Sequence, residues 1–202
     1  MGEFTENRTL RRGWTTGACA TAAARAAFEG LVSGDAPPDP VEIVLPSGHR
    51  VAFAVAEVER GVGFCRVGII KDAGDDPDVT HGALICATVR RGSRGSGVSF
   101  CAGEGVGTVT RPGLPVPPGE PAINPVPRAM MRQAISEAAG ALGVEPDAII
   151  EISIPDGEAR ARHTLNARLG IIGGLSILGT TGVVIPFSCA AWIDSIHRSI
   201  DV

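Results

Sequence analysis

The sequence predicts an α+β fold, an antiparallel or mixed sheet layered with helices, and three observations carry that prediction. Apolar and polar residues alternate in strand-like runs between Val41 and Gly105. Few helical patterns interrupt them, so strands arrive in groups rather than in strict alternation with helices, which excludes a regular parallel α/β arrangement. The composition agrees: 27 glycines, 15 prolines, 44% apolar and only 4% aromatic residues describe a compact chain with tight turns and small aliphatic filling. Its 202 residues are read as one domain, long enough to bury most of its apolar surface.

In chain order, Thr16 is the expected N-cap of a helix over Gly17–Val32, closed by Gly30 and the stretch "SGDAPPDP". Residues 41–71 then read as a meander of three antiparallel strands, with turns at Pro46-Ser47-Gly48 and Arg60-Gly61. After an acidic loop, "HGALICATVRR" and "GVSFCAGEG" are further strands, and "TRPGLPVPPGEPAINPVP" holds too many prolines for regular structure. "RAMMRQAISEAAGALG" places Met130, Ala134, Ile135, Ala138 and Leu142 on one helical face, with Pro127 in the first turn and Gly140 or Gly143 at the end. A hairpin around Pro155-Asp156-Gly157 and a final helix from near Ser188 complete the expectation.

Charge and sparse motifs exclude several classes. A net charge of −4 gives no long-range attraction to nucleic acid or anionic lipid, so neither is an expected partner. Cys19, Cys65, Cys86, Cys101 and Cys189 are odd in number and without CxxC spacing, and they read as buried thiols of a reducing cytoplasm. His49, His81, His163 and His197 form no ligand pair, so no metal site is expected. The N-terminal residues lack the apolar stretch of a secretory signal. Gly170–Ile193 carries no charge over 24 residues, but five glycines and Pro186 argue for strand and loop rather than a membrane span. The expected location is the cytoplasm.

Five stretches could carry chemistry. "GWTTGACATAAARAA" opens a helix with small residues behind Arg8, Arg11 and Arg12, which suits an anion at free backbone N–H groups or, equally, close helix packing. "KDAGDDPDVT" gathers Asp72, Asp75, Asp76 and Asp78 beside Lys71; it reads as a solvated turn, a ribose or cation site, or a proton acceptor, although its spacing fits no calcium loop. Gly103, Gly105 and Gly107 follow a strand with nucleotide-loop spacing, yet Pro112 and Gly113 stand where a helix should start, so a glycine-bearing hairpin is the alternative. Glu120, Asn124 and Arg128 sit among rigid prolines, in what could also be a stiff surface loop. Gly170, Gly173, Gly174, Gly179 and Gly182 give a backbone able to lie against a planar ligand or to pack closely on other strands.

Taken together, "LRRGWTTGACATAAARAA", "KDAGDDPDVTHGA", "GEGVGTVTRPGLPVPPGEPAINPVPR", "ISIPDGE" and "LGIIGGLSILGTTGVV" resemble in order and spacing the CbiD family, cobalt-precorrin-5B methyltransferases of cobalamin synthesis. The resemblance implies methyl transfer from S-adenosylmethionine to carbon 1 of a cobalt-bearing tetrapyrrole, with cobalt carried by the substrate. It implies substrate contacts from Arg11, Arg12, Thr15, Thr16, Gly17 and Lys71, from Glu120, Asn124 and Arg128, and from Gly173, Gly174, Thr180 and Thr181. Gly103, Glu104, Gly105 and Gly107 are the expected donor-binding residues. Asp72, Asp75 and Asp76 are the expected catalytic proton acceptors, with Glu104 or Glu120 behind them. Family members read Asn-Pro where this chain has Asn166-Ala167, and they continue well past the position of Val202 into what resembles a separate C-terminal α/β domain. A corrinoid-binding module without a donor site is the alternative function, and exposed apolar surface where that domain would dock makes self-association a further expectation.

Overall fold

The computed structural model of the chain describes residues 10–188. Its elements are β1 (Gly13–Trp14), α1 (Thr16–Ser33), β2 (Val41–Val44), β3 (Arg50–Phe53), β4 (Glu57–Gly61), β5 (Phe64–Ile70), β6 (Leu84–Arg91), β7 (Val98–Ala102), β8 (Thr108–Val109), α2 (Pro125–Leu142), β9 (Ala148–Ser153), α3 (Gly157–Ala161), β10 (Ile171–Ile172) and β11 (Val183–Val184). The α+β expectation holds. The principal sheet has five strands in the order β4-β5-β6-β9-β7, antiparallel except for the parallel β7–β9 pair, so it is mixed.

The core forms on one face of this sheet. Cys65, Val67, Ile69, Ile85, Ala87, Val89, Ala148, Ile150 and Ile152 alternate along their strands and are sealed from solvent, whereas Arg66, Arg90 and Glu151 stand at the intervening positions. α1 lies on β5 and β6, with α2 at its side. Seven alanines fill α1, and all are fully buried. Alanine is the best helix former and has almost no side chain, so the helix can be covered all round at short range. α2 adds Met131 and Ile135 to the same core.

Boundaries differ from the sequence reading for physical reasons. Thr15, not Thr16, caps α1: its backbone is extended and its hydroxyl accepts from the Ala18 N–H at 3.2 Å. The helix continues through Gly30 to a left-handed Gly34, and Gly30 instead makes room for Pro37, whose ring would lie 2.7 Å from an added Cβ. The expected meander is two separate hairpins. β2 and β3 form a two-stranded sheet, while β4 and β5 turn at Val62-Gly63 and join the large one.

The hairpin expected around Pro155 is a strand followed by the short helix α3, because β9 already has β6 on one side and β7 on the other. β8 pairs with β10 rather than β7, so the Gly103–Gly107 turn is not a hairpin. Leu142, at the last turn of α2, is exposed. Cys19, Cys65 and Cys86 are buried as expected, but Cys101 sits at an outward position of the edge strand and is exposed. Residues 170–188 form short strands and loops, and among the described residues no helix is long and apolar enough to cross a membrane. Cys189, His197 and the helix expected beyond Ser188 lie outside the described residues.

Candidate functional site

The acidic loop joins β5 to β6 and is stitched to the segment before α1. Trp14 N–H donates to the Asp72 carbonyl at 2.7 Å, and Arg11 and Asp75 exchange bonds, Arg11 N–H to the Asp75 carboxylate at 2.7 Å and Asp75 N–H to the Arg11 carbonyl at 2.9 Å. The approach demands glycine. An added Cβ on Gly13 would fall 2.0 Å from the Ala73 carbonyl carbon, and one on Gly74, at φ 68, 2.2 Å from the Arg11 oxygen. Arg11 also grips Asp72 with both guanidinium nitrogens, one of them at 2.9 Å. That hydrogen bond and the Gly74 N–H hold the Asp72 carboxyl down at about 2.

A third segment closes the junction. β11 pairs with β1, Gly13 opposite Val184 and Trp14 opposite Val183, and Phe187 N–H donates to the Asp76 carboxylate at 3.0 Å. Thr180 and Thr181 are exposed on this segment, where the Thr181 hydroxyl donates to the Val183 carbonyl. Beneath the loop, Lys71 is 2% exposed and its ammonium reaches Asp78 and Thr80. Burial pushes the Asp78 carboxyl up, but Lys71 and the Thr80 N–H and hydroxyl more than offset it and leave it below its ordinary value. The Cys19 thiol nearby is pushed up by burial to about 12, so it is a neutral packing group.

Both long helices begin against consecutive carbonyls of one strand-like segment. Gly17 N–H donates to Leu178 O at 2.9 Å and Asn124 N–H to Ile177 O at 3.1 Å. At the start of α1 the Gly17 and Ala18 N–H groups are therefore taken by the chain itself. An added Cβ on Gly17 would meet Pro127 of α2 at 2.8 Å. Arg128 anchors the proline loop by donating to Ile123 O, Pro121 O and Glu120, and it stacks on Phe100 beside Arg132.

The glycine segments pack on one another. An added Cβ on Gly105 would lie 2.0 Å from Ile154 O, on Gly107 2.4 Å from Ile171, and on Gly174 2.2 Å from Gly105 O. The space beside these glycines is thus filled by the chain's own residues. Glu104 is exposed beside it, and Gly173, at φ 89, is exposed with open space around it. Asn166 is buried, donating to Gly174 O and accepting from Ser176, which ties the neighbouring turn down.

The structure therefore brings Arg11, Arg12, Thr15, Thr16, Gly17, Lys71, Asp72, Asp75, Asp76, Thr180 and Thr181 to one junction. Asn124 reaches it through the adjoining residues 177 and 178, whereas Glu120 and Arg128 sit in the proline loop and Gly103–Gly107 with Gly173 and Gly174 in the glycine-packed layer. Two surface hollows, of about 410 and 300 Å³, lie elsewhere, around Arg91, Arg94 and Asp147 and around Pro37, Val55 and Arg60. Asp78 and Thr80 were missed as supports of Lys71, although the Asp-x-Thr spacing favours a side-chain turn. His81 was read as a lone histidine, and its ring stands on the junction with Nδ1 accepting from Ala73 N–H at 3.1 Å.

Against known proteins, the CbiD family model matches residues 3–186. The chain belongs to the CbiD family. Among its relatives, the cobalt-precorrin-5B C(1)-methyltransferase of Methylorubrum extorquens is 66% identical over 98% of this chain and 54% of its own length. That of a Bradyrhizobium species is 67% identical over 97% of this chain and 52% of its own. The crystal structure of the cobalamin biosynthesis protein CbiD from Archaeoglobus fulgidus superposes with a TM-score of 0.68 at 34% identity, covering 94% of this chain and 59% of that one. The chain thus spans about half the length of the curated CbiD relatives it matches.

Proposed function

We propose that the chain takes part in methylation of cobalt-precorrin-5B at carbon 1, in the cytoplasm, with S-adenosylmethionine as donor and cobalt carried by the substrate. The observation that carries this reading is identity of 66% over 98% of the chain to a relative of that name. The substrate is a broad macrocycle rimmed with acids, and the open junction around Arg11 and Arg12 suits it better than an enclosed pocket would. Arg12 has no acidic partner among the described residues, so its guanidinium is available to a rim carboxylate. Thr180 and Thr181 are exposed on the segment that pairs with β1.

The donor supplies an electrophilic methyl group and the macrocycle carbon the electron pair. The chain's residues then have to orient the macrocycle and exclude water. Should a proton be lost after transfer, Asp72 is a poor acceptor, because Arg11 holds its carboxyl strongly acidic, and the role is assigned to Asp75 or Asp76 by their place on the loop. Lys71 supports the loop from within. The donor site is proposed to draw on the part of the relatives' length that this chain does not span, since Gly105 and Gly107 already contact the chain's own residues. That coverage also favours a second reading, a module that holds the tetrapyrrole without the donor.

The deciding experiment incubates this chain, beside a full-length relative, with cobalt-precorrin-5B and S-adenosylmethionine. Gain of one methyl group by the substrate supports the enzyme. Tetrapyrrole binding without donor binding supports the module, and binding of neither rejects both readings.

A further inference from the structure

His81 is half-exposed, follows the Asp78–Thr80 turn and has its main chain fixed twice, its N–H donating to Asp78 O at 2.9 Å and its carbonyl accepting from Arg160 at 3.2 Å. Its ring is fixed as well. A backbone N–H can only donate, so the bond from Ala73 N–H to Nδ1, at 3.1 Å, requires a lone pair there. The neutral imidazole must then carry its proton on Nε2. Asp72 stands 3.9 Å from Nδ1 and Arg11 grips that carboxylate, so the ring is placed beside the arginine without competing for it. Among the described residues Nε2 has no hydrogen-bond partner.

We propose that His81 is a substrate-binding residue whose Nε2–H donates to a rim carboxylate of the tetrapyrrole, resting on the function proposed above. The same geometry denies it a role as general base, because Nε2 has no free lone pair and Nδ1 is occupied. Glutamine can place an amide N–H near the position of Nε2, whereas asparagine reaches only to the position of Nδ1.

The test measures binding of uroporphyrin, a planar tetrapyrrole rimmed with acetates and propionates, to wild type, His81→Gln, His81→Asn and His81→Ala, with thermal melting as a control for folding. Nitrogen-15 NMR of the ring reports the tautomer directly. The expected result is an Nε2–H tautomer whose signal shifts on binding, about tenfold weaker affinity in the alanine and asparagine variants, and recovery of most of it with glutamine. In turnover of the natural substrate by a full-length relative carrying the equivalent substitution, KM should rise while kcat stays within about twofold. An Nδ1–H tautomer, unchanged affinity in His81→Ala, or a fall in kcat at constant KM overturns the assignment. If wild type itself does not bind the tetrapyrrole, the proposed function fails first and the role of His81 with it.

Discussion

The sheet core and the junction are built by different forces. In the core, α1 and strands β5, β6 and β9 meet through aliphatic side chains at essentially zero exposure. At the junction, Arg11, Asp72, Asp75 and His81 are exposed or half-exposed and are held by directional bonds, many to backbone. Packing tolerates no lost volume but carries little chemical information, whereas the junction contributes little stability and presents specific donors and acceptors. On the function proposed above, stability and recognition are separable by mutation.

The largest expected effect breaks the core. Phe28 is fully buried against the sheet, and Phe28→Ala should cost about 3–5 kcal/mol in chemical denaturation. Lys71 lies between the two regions, since it is buried like a core residue yet bonded like a junction one. Lys71→Met leaves Asp78 without its cation and should cost about 2–4 kcal/mol, and the double variant with Asp78→Leu should regain about half, which a double-mutant cycle checks. Two glycines sharpen the contrast. Gly174→Ala forces a methyl group against Gly105 and should cost about 1–3 kcal/mol, while Gly140→Ala, with open space on the surface of α2, should stabilise by about 0.5–1 kcal/mol.

The smallest effect belongs to the exposed pair. Asp72→Asn should change stability at neutral pH by less than about 1 kcal/mol. Because Arg11 lowers the folded-state value from 3.8 to about 2, the contribution of Asp72 is complete above pH 4 and fades as pH falls toward 2. Melting curves of wild type and variant should converge across that window.

The core was legible because it follows local rules. A threonine cap, a run of small residues and a glycine-proline stop announced α1, and alternation of apolar residues announced β5. The strand order was not legible, since β9 inserts between β6 and β7 through pairings distant in sequence. At the site, Arg11 and the carboxylates were evident as residue types, but their pairing is set by the contact of Gly13 with Ala73 and Gly74, which no spacing encodes. The glycine stretch at 103–107 read as a loop open to a ligand or as a hairpin; it is not a hairpin, since β8 pairs with β10 and residues 171–174 pack against it. His81 escaped notice because a ring's tautomer depends on one backbone bond.

Amide hydrogen exchange with and without uroporphyrin tests most directly whether the ligand seats on the junction. Added protection at residues 11–15, 73–82 and 179–187, with the strands of the large sheet unchanged, is the predicted result. Protection confined to the hollow around Arg91, Arg94 and Asp147, with the junction amides unaltered, would contradict it.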